Sequence, residues 1–336
     1  MSDAMVLPQA VLAPGVSPVV SGGVRMFAAP VDRSGLGPRV FDPARQGRFA
    51  VSAPPAGWLA LGAVTALERN DTGTFTEIWN GAPASIGTRA RSSSGASLRC
   101  AFAAWSKLAM ALSSGSQQMN LLRTAAIFTA ADSGGTADSA AVLGGSTDTA
   151  LRVPQSFAVN AGDLIVVDAD YAGQTGFLGS PVASAYVPDA ARVHNDVHYL
   201  RRVSFNLARV SSVAPDPNAA DTAQLLILVA PLPAGIPAGA TQVSVVQGFV
   251  DRVGGSFLSE WSALFVADGV AGDRVLLHYP RLQIAAGATE TRQELAAGLE
   301  RWRLEANFVA LPVTDANDGD AVLCSRSYLP APSRTW

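Results

Sequence analysis

Gly298-Leu-Glu-Arg-Trp-Arg-Leu-Glu-Ala-Asn-Phe-Val-Ala310 decides how this chain is read. Successive side chains of a strand point to opposite faces, so Trp302, Leu304, Ala306 and Phe308 share one side and Arg301, Arg303, Glu305 and Asn307 the other. One side is apolar and one polar, which predicts a half-buried strand with Trp302, Leu304 and Phe308 in the core. Upstream, Asp273-Arg-Val-Leu-Leu-His-Tyr-Pro-Arg-Leu-Gln-Ile284 alternates too, but its apolar parity moves from Val275, Leu277 and Tyr279 to Leu282 and Ile284 across Pro280. Proline cannot donate to a ladder, so a bulge or an edge position is expected there. Downstream, Thr314-Asp-Ala-Asn-Asp-Gly-Asp320 is nearly all turn formers, and Ala321-Val-Leu-Cys-Ser-Arg-Ser-Tyr-Leu329 returns. The expectation over Gly272 to Leu329 is an antiparallel meander with one polar face.

Further upstream the same period recurs. Leu59, Leu61, Ala63, Thr65 and Leu67 alternate, a polar tip follows at Arg69-Asn-Asp-Thr-Gly73, and Thr74-Phe-Thr-Glu-Ile-Trp79 leads into the turn dipeptide Asn80-Gly81. Ile86 to Ser92 continues the sheet, and Leu98, Cys100 and Phe102 alternate. From Ala103 the period becomes helical. Trp105, Leu108, Ala109 and Leu112 share a face and Gly115 is the stop, predicting one flanking helix of about three turns. Residues 1–57 are rich in proline and glycine and read as an extended arm, too apolar to be a solvated tail and expected to lie ordered along its own subunit or a neighbour. Residues 58–123 form the first part of a β domain, 124–240 an inserted or second β-rich region, and 241–336 the second part. Within the middle region Phe157 to Asp168 reads as a hairpin-like pair of strands, and Val197 to Leu207 and Thr222 to Val229 each read as a strand. The fold class is mainly β, a barrel or sandwich with one helix beside it.

Composition narrows the function classes. Of the 336 residues 49% are apolar and only 15% charged, against roughly 25% charged in ordinary soluble domains. So few charges point to surface that is covered by other copies of the chain. A net charge of −3 supplies no basic footprint for tight nucleic-acid binding. Lys107 is the lone lysine. Cys100 and Cys324 lack any ligand spacing and read as free thiols. Asp3 stands where a signal peptide would be basic, and no apolar run reaches the ~18 residues of a membrane span.

No catalytic constellation emerges, so the chain reads as a non-enzyme without a cofactor. His194-Asn-Asp-Val-His198 has the spacing of helical metal ligands, but Val197, Tyr199 and Val203 around it keep a strand period, and surface histidines are the better reading. Asp163, Asp168 and Asp170 suit a turn as well as a calcium site. Glu68, Asp71, Glu77, Asp251 and Glu260 lie on polar strand ends where solvated charge is ordinary. No nucleophile elbow or phosphate-cradling glycine loop is present.

The order of a hairpin with a polar tip (Leu59 to Ser92), a short helix (Ala103 to Leu112) and a terminal strand group including Asp273-Arg-Val-Leu-Leu-His-Tyr-Pro-Arg-Leu and Trp302-Arg-Leu-Glu-Ala-Asn-Phe resembles the major tail tube proteins of tailed bacteriophages. The likeness covers both ends, about half of the chain. It implies a virion protein that assembles into rings, commonly hexameric, stacked as a hollow tail tube in the bacterial host cytoplasm. DNA would pass through transiently and without specific binding. Sheath, tape-measure, baseplate and terminator proteins would be its partners, with no membrane. Under that resemblance Arg69, Asn70, Asp71, Thr72, Phe75, Trp79 and Asn80 make the ring-to-ring contact, the arm a second one, and Trp105, Leu108 and Leu112 form the bracing helix. The competing readings are a monomeric β-sandwich that binds a glycan through Trp58, Trp79 and Trp261, or another virion component such as a baseplate protein.

Overall fold

A computed structural model describes residues 20–31, 37–115, 117–123, 138–169, 205–219, 222–236, 241–253 and 260–331. In chain order its elements are β1 (Val20–Pro30), α1 (Pro43–Gln46), β2 (Leu59–Asn80), β3 (Ser85–Phe102), α2 (Lys107–Ser114), β4 (Gln117–Leu122), β5 (Ser139–Ala141), β6 (Ala150–Pro154) and β7 (Leu164–Ala169). There follow β8 (Leu207–Pro215), β9 (Ala223–Leu228), β10 (Thr241–Arg252), β11 (Glu260–Gly269), β12 (Arg274–Ala296), β13 (Leu299–Ala310), β14 (Val313–Thr314), β15 (Ala321–Val322) and β16 (Ser325–Leu329). The protein is mainly β, and all strand pairs among the described residues are antiparallel.

The main sheet runs β11-β1-β2-β3-β13-β12-β16, and β11 also pairs with β12. Backbone pairing therefore passes in a cycle through β1, β2, β3, β13, β12 and β11 and back to β1, with β16 alongside Arg274 to His278 of β12. Each strand of the cycle has a neighbour on both sides over part of its length, which satisfies the backbone groups that an open edge would leave to water. One face carries the largest core: Met26, Leu61, Val64, Leu98, Phe102, Trp261, Phe265, Tyr279, Leu304 and Phe308 meet there, together with Leu108 and Leu112 of α2. Fully burying each large apolar side chain stabilises the fold by about 1.5–3 kcal/mol.

The opposite face of β1, β11 and the start of β12 is covered by the chain's own segment 37–58. Phe27, Leu264, Val266 and Leu276 pack there against Phe41 and Trp58, with Phe49, Val51 and Leu329 at the margin. The cover is pinned at several points. Arg274 Nη1 donates to the carbonyls of Gly47 and Phe49 at 3.0 and 2.8 Å, and the Arg39 N–H donates to Ser262 Oγ at 2.9 Å.

The chain from β4 to β10 builds a second sheet, β4-β10-β7-β8-β9-β6, with β5 on β10. It has its own core of Leu151, Val153, Ile165, Val167, Val210, Leu226, Val243 and Val245. This unit is inserted between α2 and β11. Where the sequence suggests boundaries at 124 and 240, membership of the sheet begins at β4 and ends at β10. Its junction with the main sheet is at α2, where buried Lys107 donates from Nζ to Asn120 Oδ1 at 2.7 Å and Trp105 meets Phe249 with ring centroids 6.3 Å apart.

Six expectations change on inspection. Arg69-Asn-Asp-Thr-Gly73, expected as the polar tip of the hairpin, lies inside the continuous strand β2, and the chain turns at residues 81–84 instead. The pair of strands expected over Phe157 to Asp168 is the single strand β7, which begins at Leu164 after a turn at residues 161–162. Part of the N-terminal arm, Val20–Pro30, is an inner strand of the main sheet. It lacks alternation because Met26 and Phe27 are buried on opposite faces. The C-terminal strands are not a simple meander: β16 returns to β12, since the second edge of β13 is taken by β3. The helix begins at Lys107 after the N-cap Ser106, whose Oγ accepts the Ala109 N–H at 3.2 Å. It is 8 residues long, about two turns, so Trp105 lies before it and is exposed rather than on its packed face. Gly115 ends it at φ 59°, the left-handed conformation that favours glycine. Finally, Trp302 does not join Leu304 and Phe308 in the core: it is 51% exposed while Phe308 is 1% exposed.

Candidate functional site

That last correction leads to the feature which most distinguishes the molecule. β2 and β3 are 22 and 18 residues long and β12 is 23, whereas strands of globular proteins are usually ~5–6 residues. The excess length projects beyond the core as two hairpin arms. The first comprises the ends of β2 and β3, paired from Asn70↔Ser97 to Asn80↔Ser85. At ~3.4 Å per residue it is roughly 35 Å long. The second comprises the ends of β12 and β13, from Glu290↔Leu304 to Ala296↔Leu299, closed by a turn in which Gly298 adopts φ 77°. It extends roughly 20 Å.

The arms leave from opposite ends of one ladder. β3 and β13 pair from Ser97↔Val309 to Phe102↔Leu304. The first arm continues past the Ser97 end and the second past the Leu304 end. Over Asn70 to Asn80 and over Ser85 to Ser94 every residue faces water, and each arm is a ribbon with no third strand among the described residues. A two-stranded ribbon by itself is marginally stable in water, and unpaired edges invite strands of another chain.

The arms also carry seven of the thirteen large apolar side chains exposed among the described residues. Phe75, Ile78, Trp79 and Ile86 lie toward the end of the first, with Trp79 57% exposed and paired across the ribbon with Ile86. Leu295, Leu299 and Trp302 lie on the second. Basic side chains shade the aromatic rings: the Arg89 and Arg91 guanidinium carbons lie 5.0 and 5.4 Å from the Phe75 centroid, and that of Arg292 lies 6.0 Å from Trp302. Such contacts give about 0.5–1 kcal/mol at exposed sites. Trp105, just before α2, braces the root of the second arm by donating from Nε1 to Glu290 Oε1 at 2.8 Å.

The residues expected at the first arm divide along its length. Phe75, Trp79 and Asn80 stand on the distal ribbon and Asn70, Asp71 and Thr72 on its proximal part. Arg69 is at the root, ion-paired with Asp71 at 2.6 Å. The second arm escapes sequence reading. From Thr289 to Glu294 both faces are wet and two register shifts, at Ile284/Ala286 and Ala286/Thr289, break the parity; the turn glycine Gly298 was the available signal.

Other expected chemistry is dispersed. Glu77 pairs with Arg89 at 3.5 Å and Glu260 with Arg281 at 2.8 Å, while Asp163 caps a turn by accepting the Asn160 N–H at 2.9 Å. His194, His198, Asp170 and residues 197–204 of the strand expected over Val197 to Leu207 lie outside the described residues. Among the described residues no group of three or more His, Cys, Asp or Glu is placed to hold a metal ion, and no helix is long and apolar enough to cross a membrane. Cys100 is buried and unpaired, its thiol pushed up to about 12 by burial and by Glu305. Of the three tryptophans considered for a glycan, Trp58 and Trp261 are core residues and only Trp79 is exposed.

No protein-family model and no curated protein matches this chain.

Proposed function

We propose that this chain is a structural virion protein that assembles with copies of itself, as stacked rings, into the hollow tail tube of a tailed bacteriophage or a related particle. In this reading the cycle of pairing closes the subunit as a β-barrel, and neighbouring copies complete the ribbons left unpaired on the arms. DNA passes through the lumen without being bound, and the protein performs no chemical step.

The observation that carries the reading is the pair of arms at opposite ends of the β3–β13 ladder. A contact made by one end of a subunit on the other end of the next is heterologous, and repetition of such a contact produces a filament or stacked layers. A low charge fraction and exposed apolar groups on the arms suit surfaces that meet further copies. A glycan-binding module would need aromatic side chains converging on one surface; Trp79 and Trp302 are on different arms.

The decisive experiment is negative-stain microscopy and light scattering of the purified protein. Cylinders far larger than one subunit are expected, and a persistent monomer across protein and salt concentrations would overturn the reading. Strand register also defines a clean truncation. Thr72 pairs with Gly95 and Gly73 with Ser94, so replacing Gly73–Ser94 by an Asn-Gly turn shortens both strands together. That variant should remain folded and fail to elongate.

A further inference from the structure

The face of the main sheet opposite its largest core is divided in two. Over β1, β11 and the start of β12 it is sealed by residues 37–58. Over β2, β3 and β13 no segment among the described residues covers it, and its exposed and half-exposed side chains are mostly polar: Thr65 and Glu68 on β2, Ser97 and Arg99 on β3, Arg303, Glu305 and Asn307 on β13, with Val309 half-buried and Ala101 buried among them. This is the polar side of the stretch that decided the fold. An uncovered apolar face would imply a docked protein, but this one is built to stay wet.

Its charges are arranged with respect to each other. Arg99 is paired across the ladder with Glu68 and donates from Nη2 to Glu305 Oε2 at 3.0 Å. Glu305 reaches Arg303 with its other oxygen at 3.7 Å. Two carboxylates therefore stand against two guanidiniums, and the set sums to zero. The hydrogen bond to Glu305, then the charges of Glu305 and Glu68, raise the pKa of Arg99, so this cation stays charged and is held by neighbours on its own sheet. Beside them Glu68, Arg69, Asn70, Ser97, Arg99 and Asn307 border an open notch of about 430 Å³, large enough for water to reach the network.

We infer that this β2–β3–β13 face is the lumen wall, and that Glu68 and Glu305 hold Arg99 and Arg303 so that they do not engage the phosphates of passing DNA. The inference rests on the tube reading and deepens it by naming the wall and the chemistry it faces, a double-stranded polyanion. Guanidiniums free to contact phosphate would release counterions and retain the polymer. Guanidiniums already held by carboxylates, Arg99 across the ladder and Arg303 along its own strand, leave a hydrated surface of no net charge, past which DNA slides. The sealed half of the same face is turned toward the particle's exterior, where a cover of packed aromatics costs nothing in transit.

Two measurements on assembled protein test this. In a Cys324→Ser background, Ser97→Cys is treated with a small maleimide and with one carrying a large polyethylene glycol chain, before and after assembly. A lumen position is expected to react with the small reagent throughout and to lose reaction with the bulky one on assembly. If cylinders form and the bulky reagent still reacts at the unassembled rate, the assignment of the wall is overturned while the tube reading stands; if no cylinders form, both fall. The second measurement is retention of short duplex DNA by cylinders of the Glu68→Gln, Glu305→Gln double variant, in which each subunit's wall gains two unpaired positive charges. Retention at low salt should rise at least about tenfold over the unaltered protein and be reversed by added salt. Retention equal to that of the unaltered protein would overturn the role given to the two carboxylates.

Discussion

Trp302 and Phe308 sit on the same side of the same strand, yet one faces water and the other is fully enclosed. The difference is where the core ends along β13, and it separates two kinds of substitution. Phe308→Ala empties a packed site and should cost about 3–5 kcal/mol in denaturant unfolding. Trp302→Ala removes a half-exposed ring and its contact with Arg292, so the isolated subunit should lose no more than about 1 kcal/mol, while the larger defect should appear in assembly. His278 gives a second residue-level expectation. It is buried against Phe41 and Trp58 with ring centroids 6.2 and 5.9 Å away, and its Nε2 is 3.2 Å from the Arg39 carbonyl. Burial, only partly offset by that carbonyl, holds its pKa below 6.5. The unfolded chain therefore takes up the proton first, and the stability that neutral His278 contributes is present above about pH 6.5 and lost as pH falls through the lower folded value. Denaturant midpoints measured at about pH 7 and about pH 5 should fall for the native protein and fall less for His278→Gln.

Among the elements, α2 illustrates how far local signals reach. Its stop at Gly115 and its packed residues Leu108 and Leu112 are legible because a cap and an apolar stripe are local features. Its start is not, because Trp105 extends the stripe by one apolar residue although Ser106 already supplies the cap. Replacing Ser106 by alanine should lower stability by about 1 kcal/mol, measured as a shift in denaturant midpoint without a change in slope. Strands were legible wherever one face is wet, as on β13, and at Pro280, where the parity switch corresponds to the register shift between β11 and β12. They were obscure in two opposite cases. β1 is dry on both faces near Met26 and Phe27, and the second arm is wet on both faces near Thr291 and Arg292. In each the period of two that marks a half-buried strand is missing. The pairing of β16 with β12 was out of reach for a different reason: competition for the edge of β13 is settled by β3, some two hundred residues earlier in the chain.

For the whole molecule the arrangement of the arms makes a prediction that neither arm makes alone. If each contact joins the first arm of one copy to the opposite end of the next, a copy without its first arm lacks one mating surface and retains the other. Such a copy joins the end of a growing particle and stops it. A small fraction of the Gly73–Ser94 replacement mixed with intact protein before assembly should therefore shorten cylinders in proportion to its share, with subunit folding unaffected. A second variant, in which Thr291–Arg303 is replaced by a two-residue turn, should stop growth from the other end. Mixed with each other and without intact protein, the two variants should give at most short stacks, because each supplies the surface that its partner needs and then presents a blunt end. Length distributions from negative-stain images decide the matter. Lengths unchanged by either variant would show that the ribbons lie outside the contacts that build the particle, and a symmetric dimer from either variant alone would show an isologous contact in place of the head-to-tail one.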